Sequence, residues 1–217
     1  MIGEVVGEVW RLFLGRFWRT LVIVTLFLAP LELGVALVDP DFSSVARGWW
    51  VWVGGSGAVT FVAFPWVIGA LVHDVGAGDR TPTEAYRRTS RRLPDLVISA
   101  LVTTLGIVLG MLALIVPGLI LLARWALVVP LIVLDDASWR EALRRSNELV
   151  RGRTWSVICV FVLLTLIGAI LVSVPVALGY FVLENVLGAW LATLAIDVVT
   201  LAFFSFAHLV LYRRFTT

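Results

Sequence analysis

The sequence contains no lysine, one cysteine and two histidines. A single cysteine cannot form an intramolecular disulfide or a cysteine-based zinc site, so we interpret Cys159, in an apolar run, as a buried and inert thiol. The sequence also lacks a His-Glu-x-x-His motif and a Walker phosphate-binding loop, which excludes the ordinary metalloprotease and ATPase patterns. We therefore expect no cofactor and no enzymatic activity. Because arginine supplies every basic side chain, as in proteins from GC-rich genomes, we expect a prokaryotic source.

Charged side chains are scarce. They make up 15% of the sequence, whereas 60% of the residues are hydrophobic and the mean hydropathy is +1.01. Soluble domains carry about 25% charged and about 45–50% apolar residues. A soluble fold of 217 residues could not bury this excess of apolar side chains, so part of the surface must face lipid. We predict a single all-α integral membrane domain over residues 1–217, a polytopic bundle of transmembrane helices.

Six apolar segments have the length of a membrane span, for which about 20 residues are needed. They are 20–38, 49–72, 95–116, 118–134, 155–178 and 186–211. The third is joined to the fourth by Val116-Pro117-Gly118, a turn without polar residues. One continuous helix over both would be about 60 Å long, roughly twice the hydrocarbon thickness. The sequence therefore predicts a hairpin that turns at Pro117-Gly118.

Each pair of spans follows a Glu-x-x-Arg signature. The signatures are Glu8–Arg11, Glu84–Arg87 and Glu141–Arg144. In the second and third segments, Thr81 and Ser138 stand three residues before a glutamate, which is the capping-box pattern of a helix start. The sequence thus predicts six transmembrane helices in three hairpins, each hairpin preceded by a cytoplasmic amphipathic helix.

The third of these amphipathic segments separates an apolar from a basic face. The apolar face holds Trp139, Ala142, Leu143, Leu149 and Val150. This pattern is typical of a helix that lies in the membrane interface, with its basic face toward anionic headgroups. The candidate contacts to headgroups or to a protein partner are Arg87, Arg88, Arg140, Arg144 and Arg145. The alternative is that these helices only set the topology and brace the bundle.

The arginines also indicate the orientation. Of the 17, 15 fall in the segments 1–19, 73–94, 135–154 and the C-terminal tail, which would all lie on one side of the membrane. The opposite side would hold Arg47 among Asp39, Asp41 and Glu184. Because cytoplasmic loops carry the excess of basic residues, we predict a cell-membrane protein with both termini in the cytoplasm. Because the first segment carries the acidic residues Glu4 and Glu8 besides its arginines, we do not expect it to be a signal peptide.

Ionisable residues within spans are candidates for function. Glu32 lies about 10 Å below the predicted outer face, counted from Asp39 at 1.5 Å per residue. Arg124 lies at a similar depth, counted from Pro117, so we expect the two to pair, with Asp197 as the second candidate for Arg124. Such a site would be either a structural ion pair or a polar cavity that opens outward. His208, near the inner end of the last span, is expected to be interfacial.

Glycines and prolines within the spans indicate how the helices pack. Gly106 and Gly110 form a Gly-x-x-x-Gly pair, which permits close approach of a neighbouring helix. Pro130 is one of several prolines that remove a hydrogen bond within a span and can kink the helix. Kinked helices around Arg124 would suit a cavity, although they also occur in inert bundles.

Residues 115–160 resemble a known family. The matching pattern is Val116-Pro117-Gly118, Arg124-Trp125, Val129-Pro130, Asp135, the run Arg140 to Ser146, Leu149-Val150 and Arg153-Thr154-Trp155. It is similar to the membrane domain of some glycerophosphoryl diester phosphodiesterases and to stand-alone YciC-like membrane proteins. The resemblance implies a six-helix domain without a settled activity, in which Arg124 and Pro130 share a structural role. The family's catalytic His-Arg pair belongs to a separate soluble barrel and has no counterpart in these 217 residues.

These patterns favour a non-enzymatic membrane protein that serves as an accessory or scaffold module of a membrane complex. The alternative is a protein that binds or transports a lipid or small amphiphile in an outward-facing polar pocket. Membrane lipids are the expected partners, together with a protein partner or further copies of the chain. Nucleic acid is not expected, because the arginines lie beside the membrane.

Overall fold

The computed structural model describes residues 2–38, 48–78, 81–177 and 186–216, and these residues form helices joined by short turns, without strands. The helices are α1 (Ile2–Val38), α2 (Gly48–Gly76), α3 (Pro82–Ser90), α4 (Leu93–Ala113), α5 (Ile115–Arg124), α6 (Val128–Leu134), α7 (Trp139–Val150), α8 (Thr154–Ala177) and α9 (Val186–Thr216). The predicted all-α class is confirmed. The predicted outer-side residues Asp39, Asp41, Arg47 and Glu184 lie outside the described residues.

Five stretches in the described residues are long and apolar enough to cross a membrane. They are Ile2–Leu31, Leu93–Ala113, Ile115–Leu134, Thr154–Pro175 and Trp190–Thr216. The chain is therefore a multi-pass membrane protein. Helix α2 is 29 residues long. Its apolar stretch within the described residues is Phe61–Gly76, which is shorter than a membrane span.

Helix α1 combines a segment that we predicted to be a separate surface helix with the first span. The chain stays helical through Arg16, where the backbone departs from helical angles (φ −123°, ψ 16°) and kinks the helix. Val5, Val9 and Phe13, which the sequence places on one apolar stripe, are buried in the protein core. The beginning of α1 is thus held by the bundle itself, mainly along α9.

The α4–α5 hairpin turns earlier than predicted. Leu114 has extended angles (φ −165°, ψ 146°) and separates the two helices, whereas Pro117 lies in the first turn of α5. A proline is tolerated there because the first N–H groups of a helix have no partner within the helix. Gly118 serves close packing instead of the turn, since a Cβ atom on it would lie 2.2 Å from Cγ of Met111. Gly110 packs against the backbone of Gly118, as the Gly-x-x-x-Gly pair predicts.

The predicted span 118–134 is not one helix. Helix α5 ends at Arg124, residues 125–127 form a turn, and α6 begins at Val128. Pro130 explains why the chain does not continue as a single helix, because proline in a helix interior lacks the N–H group and clashes with the preceding turn. In the observed structure Pro130 falls in the first turn of α6, where neither problem arises.

Helices α3 and α7 begin at the predicted caps. The Thr81 hydroxyl accepts a hydrogen bond from the Glu84 backbone N–H (3.3 Å), and the Ser138 hydroxyl accepts one from Glu141 (3.4 Å). The apolar face of α7 does not face a lipid interface as we expected. Its residues Ala142 and Val150 are buried in the protein core, so α7 packs across the ends of α4, α5 and α6.

Helix α3 is anchored by Tyr86. The Tyr86 hydroxyl donates to the backbone oxygen of Ile23 (2.6 Å), and Trp66 Nε1 donates to the backbone oxygen of Tyr86 (3.3 Å). Burial raises the pKa of Tyr86 above its ordinary value because the ionised phenolate would lose its hydration. These contacts fix α3 against both α1 and α2.

Candidate functional site: a pocket within the bundle

A cavity of about 700 Å³ lies between α2, α4, the α5–α6 segment, α8 and α9. We call it the bundle pocket. Most of its lining is apolar, with Phe64, Leu96, Phe161 and Phe204 contributed by four different helices. Thr104 also lines the pocket and is exposed, so the cavity opens to the outside of the bundle beside α4. Its volume lies within the range of about 300–1,000 Å³ that is typical of small-molecule sites.

The break between α5 and α6 forms one wall of this pocket. Trp125 and Ala126, which belong to the connecting turn, are among the lining residues. Ser146 of α7 stabilises the turn, because its buried hydroxyl donates to the backbone oxygen of Arg124 (2.7 Å) and accepts from the N–H of Leu127 (3.1 Å). These are backbone groups that the interrupted helix leaves without an internal partner. One side chain therefore makes a break possible within an apolar bundle.

Gly106 positions the Trp125 ring at the pocket. A Cβ atom on Gly106 would lie 2.5 Å from two carbons of the Trp125 indole ring. Such a distance is impossible without a shift, so only glycine allows the ring to lie against α4. The first glycine of the Gly106-x-x-x-Gly110 pair thus accommodates a side chain of the pocket wall, while the second accommodates the backbone of α5.

The lining residues that carry polar side-chain groups are Ser99, Thr103 and Thr104 on α4, Trp125 in the turn and His208 on α9. Ser99 Oγ donates to the Leu96 backbone oxygen (2.9 Å), and Thr103 Oγ1 donates to that of Ala100 (3.1 Å). His208 Nδ1 is buried and has no hydrogen-bond partner among the described residues. His208, which we expected to be interfacial, is therefore part of the pocket lining.

The bundle pocket lies toward the arginine-rich end of the bundle. On α9, His208 precedes Phe215 by seven residues, or about 10 Å of helix, and Arg153 lies over the Phe215 ring at 5.0 Å. On α8, the lining residue Phe161 likewise follows the start of the helix at Thr154 by seven residues. The pocket is thus distinct from the outward-facing cavity that the sequence suggested around Glu32, Arg124 and Asp197.

Two of those three residues, Arg124 and Asp197, lie on helices with different neighbours. The side chain of Glu32 lies outside the described part of the chain. Arg124 ends α5, which packs mainly on α4 and α8, whereas Asp197 lies half-buried on α9, next to α1, α2 and α8. Within the described residues, no ion pair of Arg124 is found and its buried Nε has no hydrogen-bond partner. The contact of Ser146 with Arg124 also places this residue beside α7.

The most buried carboxylate of the described residues is one that the sequence patterns did not single out. Asp74, near the end of α2, is 2% exposed and forms ion pairs with Arg19 and with Arg16 Nη1 (3.1 Å), both from α1. Arg213 Nη2 donates to the neighbouring Val75 backbone oxygen (3.1 Å). Cations at the C-terminal end of a helix are favourable, since its carbonyl groups point outward there. This cluster joins α1, α2 and α9 beside the kink at Arg16.

The five candidate arginines on α3 and α7 differ in their contacts. Arg88 pairs with Glu84 of its own helix (2.6 Å), and Arg145 pairs with Asp135 (3.4 Å). Arg140 lies over the neighbouring Trp139 ring at 4.9 Å. Arg87, Arg88, Arg140 and Arg144 are exposed, and Arg145 is half-buried. Four of the five candidate arginines therefore lie at the surface of the protein.

The described residues give little support for metal binding or for cysteine chemistry. They contain no group of three His, Cys, Asp or Glu side chains that could hold a metal ion. Cys159 is exposed on α8 and not buried as we expected, because it falls on the side of the helix that faces away from the bundle. A lone thiol on a lipid-facing surface has neither the base nor the electropositive surroundings that activate a cysteine.

Comparison with protein families supports the resemblance seen in the sequence. Residues 89–217 match the model of the membrane domain of glycerophosphoryl diester phosphodiesterase. This region covers more than half of the chain and includes the α4–α5 hairpin, the helix break and α7. No curated protein and no solved structure matches the chain. The matched region is the membrane domain and not the catalytic one, and the chain belongs to the family of the membrane domain of glycerophosphoryl diester phosphodiesterase.

Proposed function

We propose that this chain is a six-span membrane module, with both termini in the cytoplasm, that binds a lipid or another amphiphile in the bundle pocket. The observation that carries the proposal is the pocket itself: a cavity of about 700 Å³, lined by apolar side chains and bordered by an interrupted helix. The arginine distribution supports the orientation, and the length of α2 is consistent with a sixth span.

The interrupted helix is an argument for binding and not only for packing. Non-helical backbone at membrane depth is tolerated where it is buried in protein or lines a cavity, because lipid offers no hydrogen bonds. Membrane transporters place their binding sites at such interrupted helices. Here the turn at 125–127 contributes to the pocket wall and is held by Ser146, so the break is a stable part of the fold.

The lining suits the chain of an amphiphile. Phenylalanine and aliphatic side chains surround most of the volume, while the hydroxyls and the imidazole occur on α4 and α9. Ligand sites commonly combine a largely apolar wall with a few polar groups that orient the ligand. The opening beside Thr104 gives a lipid a route into the pocket from the bilayer.

The test compares lipids that remain bound during purification in mild detergent, identified by mass spectrometry. Ala100 lines the pocket, whereas Ala113 lies on the same helix and is exposed. The variant Ala100→Phe fills the pocket, and Ala113→Phe adds the same side chain on the lipid-facing side. We expect one lipid class to be enriched in the wild type and in Ala113→Phe, and to be lost from Ala100→Phe.

Equal lipid profiles in all three proteins, with both variants monodisperse, would refute amphiphile binding in this pocket. An accessory role in a membrane complex is the second candidate function, and it rests on the exposed Arg87 and Arg144 on the helices that border the cytoplasmic end. A protein that co-purifies in a fixed ratio with all three forms, without a selectively bound lipid, would support that role.

A further inference from the structure

The described side chains that line the bundle pocket are uncharged. Among the described residues that line it, none is an arginine, an aspartate or a glutamate. A phosphate or carboxylate head within the pocket would lose its water without gaining a cation, which is a costly arrangement in an apolar environment. The part of a ligand that lies within the pocket is therefore expected to be uncharged.

The α4 side of the pocket offers acceptors of hydrogen bonds. The protons of Ser99 Oγ and Thr103 Oγ1 are committed to the backbone oxygens of Leu96 and Ala100. A hydroxyl that donates to its own helix retains lone pairs that can accept a hydrogen bond. The chemical group that matches these oxygens is a donor on the ligand.

The α9 side adds an imidazole that is held in place but not satisfied. The His208 ring packs against Phe161 and Phe204, with ring centroids 5.3 and 6.4 Å apart. Its buried Nδ1 has no partner among the described residues. A neutral imidazole has one donor and one acceptor nitrogen, and a buried polar atom without a partner is destabilising. A ligand in the pocket can reach the ring through Nε2, which is not among the buried atoms without a partner, and a hydroxyl can either donate to this nitrogen or accept from it.

We propose that the bundle pocket selects an uncharged long-chain lipid that carries a free hydroxyl group. The polar groups that select the hydroxyl are His208 on α9 and the Ser99 and Thr103 oxygens on α4, and the chain lies along the aromatic and aliphatic wall. This selectivity deepens the proposed amphiphile-binding function and rests on it. It specifies the headgroup that the pocket recognises, which the apolar wall alone does not determine.

The test uses ligands with one chain and different heads. Binding of radiolabelled hexadecanol to the purified full-length protein is measured by scintillation proximity, with unlabelled competitors. Hexadecyl methyl ether keeps the oxygen but cannot donate a hydrogen bond, and hexadecyl phosphate carries a charge. We expect hexadecanol to bind saturably and both competitors to be about tenfold weaker or more, the effect of losing one good hydrogen bond or of burying a charge.

Variants assign the selectivity to residues. His208→Phe keeps the ring and removes both nitrogens, and Ser99→Ala removes one acceptor. Ser173→Ala is the matched control, because its hydroxyl also donates to a backbone oxygen three residues earlier (Ile170, 2.7 Å) but is exposed on α8. We expect His208→Phe and Ser99→Ala each to reduce the preference for the alcohol over the ether, and Ser173→Ala to behave like the wild type.

The possible failures are distinguishable. If the wild type binds the ether or the phosphate as tightly as the alcohol, hydroxyl selectivity is wrong, while binding of the chain and thus the proposed function stands. If no ligand binds saturably to the folded wild type, the proposed function itself is wrong. If His208→Phe binds the ether normally and still prefers the alcohol by tenfold, the role of His208 is refuted.

Discussion

Neutralising Asp74 should destabilise the bundle more than neutralising any exposed aspartate. The Asp74 side chain is 2% exposed and holds Arg16 and Arg19, whose side chains are 34% and 40% exposed. Asp74→Asn keeps the shape but removes the charge, so two guanidinium groups lose their counter-ion at the point where α1 kinks. Helix α1 packs against α2 and α9.

The expected loss of stability follows from the burial of the carboxylate and of its two arginine partners. Breaking a fully buried ion pair costs about 3–5 kcal/mol, whereas a surface pair is worth about 0–1 kcal/mol. The carboxylate is buried but the arginines reach water over a third of their surface, so we expect a loss between these limits, about 2–3 kcal/mol. For a protein of this size, that corresponds to a fall of roughly 5–10 °C in Tm.

The assay is thermal unfolding in detergent, followed by tryptophan fluorescence. Asp136→Asn is the matched control, because Asp136 also pairs with an arginine (Arg92, 2.8 Å) but is 74% exposed. Its positive φ of 56° is a conformation that asparagine adopts readily, so the control adds no backbone strain. We expect this variant to lose less than about 1 kcal/mol. Equal Tm values for the two variants would refute the view that the Asp74 cluster holds the helices together.

Two further substitutions test the hairpin and the helix break by the same assay. Ser146→Ala removes the hydroxyl that hydrogen-bonds to the backbone of Arg124 and Leu127, and we expect a loss of about 1–3 kcal/mol in stability. The control is Ser90→Ala. Ser90 is exposed and its hydroxyl donates within its own helix, so this variant should change stability by less than about 0.5 kcal/mol. Gly118→Ala places a Cβ atom 2.8 Å from the Met111 backbone nitrogen and should cost about 1–3 kcal/mol, whereas Gly7→Ala, with no atom within 4 Å, should be neutral or stabilising. A Ser146→Ala or Gly118→Ala protein as stable as its control would contradict the corresponding contact.

The features that the sequence predicted well are set by nearby residues. The caps at Thr81 and Ser138 depend on a residue three positions away, and they are present. Apolar stripes repeat with the helical period, so the burial of Val5, Val9 and Phe13 on one side of α1 could be read from the spacing. The family could also be identified from the sequence, because the pattern around Arg124 and Pro130 lies within one contiguous segment.

The features that the sequence did not predict depend on residues far apart in the chain. The sequence did not single out Asp74, because its two arginine partners lie more than 50 positions away. The hairpin turn was assigned to Pro117-Gly118, although Gly118 is required by Met111 of the opposite helix. The bundle pocket is built from five parts of the chain, and the only local signal was Pro130, which marks a break but not what the break borders.

The most direct test of the bundle pocket is an experimental structure of the protein in nanodiscs made with lipid from its native membrane. We expect elongated density within the pocket, along Phe64 and Phe204, that ends in hydrogen-bonding distance of His208. The Ala100→Phe protein under the same conditions should lack this density. A wild-type structure in which Trp125 and its neighbours close the cavity, with no density between α4 and α9, would contradict the proposed binding site.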